Sequence, residues 1–133
     1  MAATGTAPSA IAIQTKEGIV MAVEKKITSK LLAPPKSSEK LSIIDKHVLA
    51  AVAGQTADAN ILINYARLAA QRYKYTYQEP QPVEQLVQLL CDQKHYFTQY
   101  GGLRPYGVAF LYAGWDKHYG YQLYQSDPSG TYR

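Results

Sequence analysis

Residues 108–126 read Val-Ala-Phe-Leu-Tyr-Ala-Gly-Trp-Asp-Lys-His-Tyr-Gly-Tyr-Gln-Leu-Tyr-Gln-Ser, preceded by Gly101-Gly102-Leu103-Arg104-Pro105-Tyr106-Gly107 and followed by Asp127-Pro128-Ser129-Gly130. Val108, Phe110 and Tyr112 fall on one face of an extended chain, and Ala109, Leu111 and Ala113 on the other. Apolar residues at period 2 on both sides mark an internal strand covered on both faces. Trp115 to His118 then forms a polar turn, and Tyr119, Tyr121, Leu123 and Gln125 alternate with Gly120, Gln122, Tyr124 and Ser126 as an antiparallel return. Proline and glycine in the closing turn stop it. The spacing therefore predicts a hairpin over 105–127.

The same two-sided pattern recurs upstream. Ser9 to Gln14 and Ile19 to Glu24 read as a buried hairpin joined at Glu17-Gly18. Lys40 to Ile44 and Lys46 to Ala53 read as two further short strands, after a loop from Leu31 to Ser38 centred on Pro34-Pro35. Strands thus occupy 9–53, behind a loose start over 1–8. A helix pair follows over 56–98. The first helix opens at Thr56, whose hydroxyl is placed to cap it, with Asp58 at the positive end and a stripe of Leu62, Tyr65, Ala66, Ala69 and Tyr73. Glu79-Pro80-Gln81-Pro82 breaks it, and Pro82 suits the first turn of a second helix whose stripe is Val83, Leu86, Val87, Leu90, Cys91 and Phe97. Strands, paired helices and strands in that order indicate a single α+β domain over 1–133. Two-sided strands need cover on both faces, and one helix pair covers one.

At 133 residues, 47% hydrophobic and 18% charged, the chain has the composition of a globular domain and not of a disordered one. The net charge of +4 comes from scattered lysines and arginines, without the basic run that tracks a phosphate backbone, which speaks against nucleic acid as a partner. No stretch approaches the ~20 apolar residues of a membrane span, and Met1 to Pro8 lacks the character of a secretory signal. Cys91 alone forms no internal disulfide and suits a reducing compartment, so cytoplasm and nucleus are the expected locations.

The candidate chemistry is sparse. His47, His95 and His118 lack metal-ligand spacing and read as surface residues, so no metal is expected. Ser129, Asp127 and His118 supply the residue types of a nucleophilic triad, but a serine in Pro-Ser-Gly is first a turn former. Cys91 on an apolar helix stripe is a small buried hydrophobe. The tyrosines from Tyr96 to Tyr132 read as half-buried strand residues. Neither Gly101-Gly102 nor Gly18 has phosphate-loop spacing, and no cofactor is expected. These residues alone describe an α+β domain that needs a further layer.

The sequence resembles the proteasome α-subunit family. Gly54-Gln55-Thr56-Ala57-Asp58-Ala59, with Ile63-Asn64 and Ala66-Arg67, is similar to the opening of that family's first long helix. Thr98-Gln99 with Gly101-Gly102-Leu103-Arg104-Pro105-Tyr106-Gly107-Val108 is similar to its second-helix exit and next strand. Gly114-Trp115-Asp116-Lys117-His118-Tyr119-Gly120-Tyr121-Gln122-Leu123-Tyr124 resembles the type-4 branch more than its sister branches, and Ser126-Asp127-Pro128-Ser129-Gly130 closes the match. Phe97 stands where the family usually has tyrosine. The resemblance covers Ser9 to Tyr132.

It implies the four-layer α-β-β-α sandwich of the N-terminal-nucleophile hydrolases, of which this chain would be about half: two sheet portions and one antiparallel helix pair. It implies a non-catalytic structural subunit of the 20S α-ring, acting in ring assembly, gating and activator docking during ubiquitin-dependent protein degradation. The implied partners are neighbouring α-subunits in a heptameric ring, β-subunits of the adjacent ring, and the carboxyl-terminal tails of a regulatory particle or other activator. The contrasting readings are an active threonine peptidase of the same fold and an unrelated α+β binding module. Catalytic relatives use an amino-terminal threonine with an aspartate and a lysine. Registering on Gly18 and Glu24 puts Pro8 at the threonine, Glu24 at the aspartate and Lys40 at the lysine. Proline carries no nucleophile, so no catalytic residue and no peptidase activity are expected. The resemblance further implies an activator-tail pocket at Lys40, Gly54 and Gln55, with the Lys40 ammonium facing the tail carboxylate. Gln55 stands where leucine is frequent, and Ala7 falls near a position frequently glycine.

Overall fold

The computed structural model describes residues 2–5, 7–26, 29–33 and 40–133. Along the chain lie α1 (Ala2–Gly5), β1 (Ala10–Gln14), β2 (Ile19–Val23), β3 (Leu41–Asp45), β4 (Val48–Gly54), α2 (Thr56–Tyr77), α3 (Val83–Gln99), β5 (Val108–Asp116) and β6 (Gly120–Ser126). The predicted proline loop has its Pro34-Pro35 centre outside the described residues, as do Ser38 and Glu39. The start read as loose contains one helical turn, α1.

Two antiparallel sheets form, β1-β2 and β3-β4-β5-β6. In the larger sheet Val48, Ala50, Val52, Val108, Phe110 and Tyr112 share a core with Leu62, Ile63 and Ala66 of α2 and Val83, Leu86, Val87 and Leu90 of α3. Pairing of Val48 with Gly114, Ala50 with Tyr112 and Val52 with Phe110 sets that face toward the helices. Ala51 and Ala113, on the opposite face, are buried as well. The β1-β2 ribbon lies against β4, β5 and β6, and the Gln14 side-chain amide donates to the Tyr121 carbonyl at 2.8 Å. The result is a helix layer, a four-stranded sheet and a two-stranded sheet, the α+β arrangement expected. The two-sided apolar reading is correct for β4 and β5, the internal strands.

Several local expectations are corrected. The β1-β2 hairpin is not buried on both sides: Ile11, Ile13 and Val20 are 64%, 62% and 70% exposed. The stripe of α2 runs through Leu62, Ile63, Ala66 and Ala70, whereas Tyr65 is exposed. Thr56 is the first helical residue and not the cap; Gln55 takes the cap position without a side-chain hydrogen bond. Helix α2 ends before the proline pair, at Gln78, which adopts φ 55° and donates its N–H to the Lys74 carbonyl. Pro82 caps α3 from just outside it. Strand β5 runs on through Trp115 to Asp116, so the turn shortens to Lys117–Tyr119.

Candidate functional site

The three residues of the expected pocket lie at one end of the large sheet. Lys40 precedes β3, and its carbonyl accepts the Val52 N–H at 2.8 Å. Two residues beyond Val52 the strand ends at Gly54, followed by Gln55 at the head of α2. Gly54 holds φ +130°, and a Cβ there would collide with the Gly107 carbonyl oxygen. The next amide, Gln55 N–H, donates to that same oxygen at 3.0 Å. Lys40 and Gly107 thus flank the end of β4 from opposite sides, through β3 and β5.

Gly107 is held in turn by Asp58. The Asp58 side chain, 3% exposed, accepts the Gly107 N–H at 3.0 Å and both terminal nitrogens of Arg104, at 2.8 and 2.6 Å. The bidentate Arg104 bond first, then the Gly107 amide, hold its carboxyl below the usual carboxylate range against the opposing effect of burial. The sequence places Asp58 at the positive end of α2; the structure shows that it also anchors the loop before β5. The Gly101–Gly107 turn is visible in the sequence, but pairing Arg104 with an aspartate 46 residues away requires the fold.

Two other polar centres carry no signal in the sequence. Lys94, wholly buried on α3, donates to the Ser126 hydroxyl at 2.7 Å and the Asp127 carbonyl at 3.2 Å, with its ammonium 4.9 Å from the Phe110 ring centre. Burial lowers its pKa to about 8. Beside it the Cys91 thiol is pushed up by burial. Asp116 accepts four donors: Val83 N–H at 3.1 Å, His118 N–H at 2.9 Å, Tyr119 N–H at 2.8 Å and the Gln122 amide at 2.6 Å. Burial raises its pKa, but the four bonds together outweigh it and the net shift is downward.

The remaining candidates do not assemble into a reaction centre. The Ser129 hydroxyl bonds the Asp127 carboxylate inside its own turn, while the His118 N–H is held by Asp116 at the opposite end of β6. His47 is no surface residue: its side chain is 12% exposed and its Nε2 lies 2.7 Å from the Gln81 carbonyl. The Glu24 carboxylate accepts the Ser9 N–H at 3.3 Å, which sets it one residue from Pro8. Among the described residues no three His, Cys, Asp or Glu side chains converge on a metal position, and no helix is long and apolar enough to cross a membrane. Shallow grooves of about 460 and 550 Å³ border α3, the first near Tyr73, Glu84 and Tyr119, the second near Tyr65, Gln81 and Tyr96; neither includes Lys40, Gly54 or Gln55.

The proteasome subunit family model matches residues 3–133. The chain is 64% identical over 132 residues to proteasome subunit alpha type-4-A of Arabidopsis thaliana and to proteasome subunit alpha type-4 of Spinacia oleracea, covering 99% of this chain and 53% of each relative. It is 64% identical over 133 residues to proteasome subunit alpha type-4 of Dictyostelium discoideum, with the same coverage. A helix pair over a four-stranded antiparallel sheet with a second sheet behind it, matched along almost every residue, makes this chain a member of the proteasome subunit family. It spans about half the length of the curated relatives it matches.

Proposed function

We propose that the chain serves as a non-catalytic structural subunit of the 20S proteasome α-ring, contributing to ring assembly, gating and activator docking in protein degradation. The observation that carries this reading is the 64% identity to alpha type-4 subunits along 99% of the chain. Its partners are then neighbouring α-subunits, the β-subunits of the adjacent ring and activator tails, in the cytoplasm and nucleus. A peptidase role is disfavoured by chemistry: Pro8, in register with the nucleophilic threonine of the catalytic relatives, carries no hydroxyl to be activated. Tagged chain expressed in cells should co-purify with a complete core particle and take no label from a covalent threonine-protease probe. Recovery as a free protein would overturn the assembly role, and labelling the absence of catalysis.

Activator docking is assigned to Lys40, Gly54 and Gln55. A compact ammonium with three donors suits a terminal carboxylate, and a charge-assisted bond in a partly dry pocket contributes about 1.5–3 kcal/mol. The half-buried position of Lys40, beside the end of β4, supports this reading. In a core particle carrying Lys40→Ala, an activator tail peptide should bind more than tenfold more weakly at this pocket, as about 1.4 kcal/mol per tenfold requires. Unchanged affinity in an intact particle would make Lys40 a surface lysine.

A further inference from the structure

We infer that the groove of about 550 Å³ between α2 and α3 seats an arginine side chain of a neighbouring subunit; the inference rests on the assembly role proposed above and adds the chemistry of one contact to it. Tyr65 of α2 borders the groove on one side, Leu89, Asp92 and Tyr96 of α3 border it on the other, and Gln81, in the link between the helices, lies at its floor with 5% exposure. Among the described residues Asp92 is the one charged side chain that lines it. Three acceptors there are left open. Gln81 Oε1 is buried without a hydrogen-bond partner. Asp92 is exposed and enters no ion pair among the described residues. Gln88 donates its amide to the Tyr132 hydroxyl at 2.9 Å, which leaves its own carbonyl oxygen for another donor.

The floor is built on a stiff link. Pro80 and Pro82 flank Gln81, and the second of them holds its backbone extended. The Gln81 carbonyl lies 2.7 Å from His47 Nε2, and the Val83 N–H two residues on is held by Asp116 at 3.1 Å. Its amide can therefore swing about its soft last torsion toward an incoming donor while the anchor stays in place. A buried carbonyl without a donor is costly, and a donor brought from outside relieves that cost. The guanidinium group is the side chain that meets all these demands. Its planar fork carries five donors, enough for a carboxylate and two amide oxygens, and it lies against aromatic rings such as those of Tyr65 and Tyr96, whereas an ammonium offers three donors around one point. A free small cation would stay largely wetted in so open a groove. A protein surface also covers Ile61 and Leu68, 56% and 59% exposed, which continue the strip of Tyr65 along α2. An arginine set beside such an apolar strip is how interfaces concentrate their binding energy.

The test uses the full cellular form of this chain, tagged, expressed in cells and carrying Tyr96→p-benzoylphenylalanine, a replacement that keeps a ring at a half-exposed position on the groove. After irradiation the core particle is purified and the cross-linked peptide is sequenced by mass spectrometry. The attachment point should fall in one partner subunit, within about three residues of an arginine, the reach of a short extended segment. Asp92→Asn should lower the cross-link yield at least about fivefold, and Asp92→Glu should keep most of it. Changing the partner's arginine to glutamine should lower the yield as far, and Asp92→Arg combined with aspartate in place of that arginine should restore it. A chain that enters the core particle but cross-links away from any arginine, or with a yield indifferent to Asp92→Asn, overturns the inference and leaves the assembly role standing. A chain absent from the particle overturns both. Should Asp92→Asn prevent assembly, the charge exchange carries the measurement, and its failure to restore assembly and cross-link overturns the inference.

Discussion

The Lys94 ammonium reaches the Ser126 hydroxyl at 2.7 Å, tying the middle of α3 to the last residue of β6. Ser126 passes its own hydrogen to the Tyr112 hydroxyl at 3.4 Å, so a helix and two strands meet at one polar knot inside an apolar core. Three acceptors, the Ser126 hydroxyl and the carbonyls of Asp127 and Val108, face the three protons of the ammonium. A buried charge persists only with that degree of satisfaction.

This knot predicts a stability that depends on alkaline pH. An unfolded lysine titrates at ~10.4, whereas Lys94 in the folded chain does so at about 8. Between those values the unfolded chain holds a proton that the folded chain has released, so the Lys94 contribution rises with pH through this window; below it both states are charged and the burial penalty is complete. Cys91 and Tyr112, both pushed up by burial, work in the opposite direction as their unfolded forms ionise. Comparison with Lys94→Met cancels the Tyr112 part and leaves the lysine together with its coupling to the neighbouring Cys91 thiol. Denaturant unfolding should show the wild type gaining about 2 kcal/mol on the variant from pH 8 to pH 10. Parallel pH curves would mean that Lys94 titrates as an ordinary lysine.

Asp116 predicts the acid limb. Its carboxylate satisfies the α3 amide of Val83 and the β5–β6 turn together. Asp116→Asn replaces one acceptor oxygen by a donor directed at other donors, at a cost of about 2–4 kcal/mol at neutral pH. The folded carboxyl titrates below its unfolded value of ~3.9, so its stabilisation is present above that value and is lost as pH falls through the folded pKa. Asp58 and Asp127 are shifted in the same direction. Urea unfolding at pH 7 and again near pH 3 should therefore show a difference between wild type and variant that narrows in acid. A variant as stable as wild type at pH 7 would remove Asp116 from this role.

The sequence carries the helix pair and the internal strands because burial imprints periodicity: β5 is apolar on both faces and lies between two strands, as its pattern requires. The pattern misleads for β1 and β2, where residues apolar on both faces are open on one, since period 2 reports what a face can bury and not whether anything in this chain covers it. Lys94 is invisible for the opposite reason. One lysine in a stripe of Val83, Leu86, Val87, Leu90 and Cys91 reads as helix surface until Ser126 is brought beneath it. The Asp58–Arg104 link is invisible for a third reason: it joins segments 46 residues apart, which only the fold brings together.

The open face of β1-β2 predicts self-association of the chain when it is alone. Ile13 pairs with Val20 and Ile11 with Ala22, so exposed apolar side chains form one strip on a two-stranded ribbon. Ile13→Lys places a charge at its centre without touching the core. Sedimentation velocity should show oligomers for the wild type and a shift toward monomer for the variant, at unchanged circular dichroism. A monomeric wild type at the same concentration would mean that the strip is too small to drive association.

Gly54 and Gly18 separate two uses of glycine that look alike in sequence. Gly18 sits in the β1–β2 turn with open space for 4 Å around the position a Cβ would take, and its φ is outside the left-handed range, so Gly18→Ala should change stability by less than about 1 kcal/mol. Gly54 is at φ +130°, and a Cβ would meet the backbone of Gly107 and Val108, which cannot rotate away as a side chain would. Left-handed strain contributes about 1–3 kcal/mol. Displacing the Gly107 carbonyl adds the loss of its bond from Gln55 N–H, so Gly54→Ala should cost about 3 kcal/mol or more. Hydrogen exchange locates the damage: the Gln55 and Gly107 amides should lose protection first, while Leu49 to Ala51 in the middle of β4 retain theirs. Equal stability of the two alanine variants would show that the β4–β5 end yields easily.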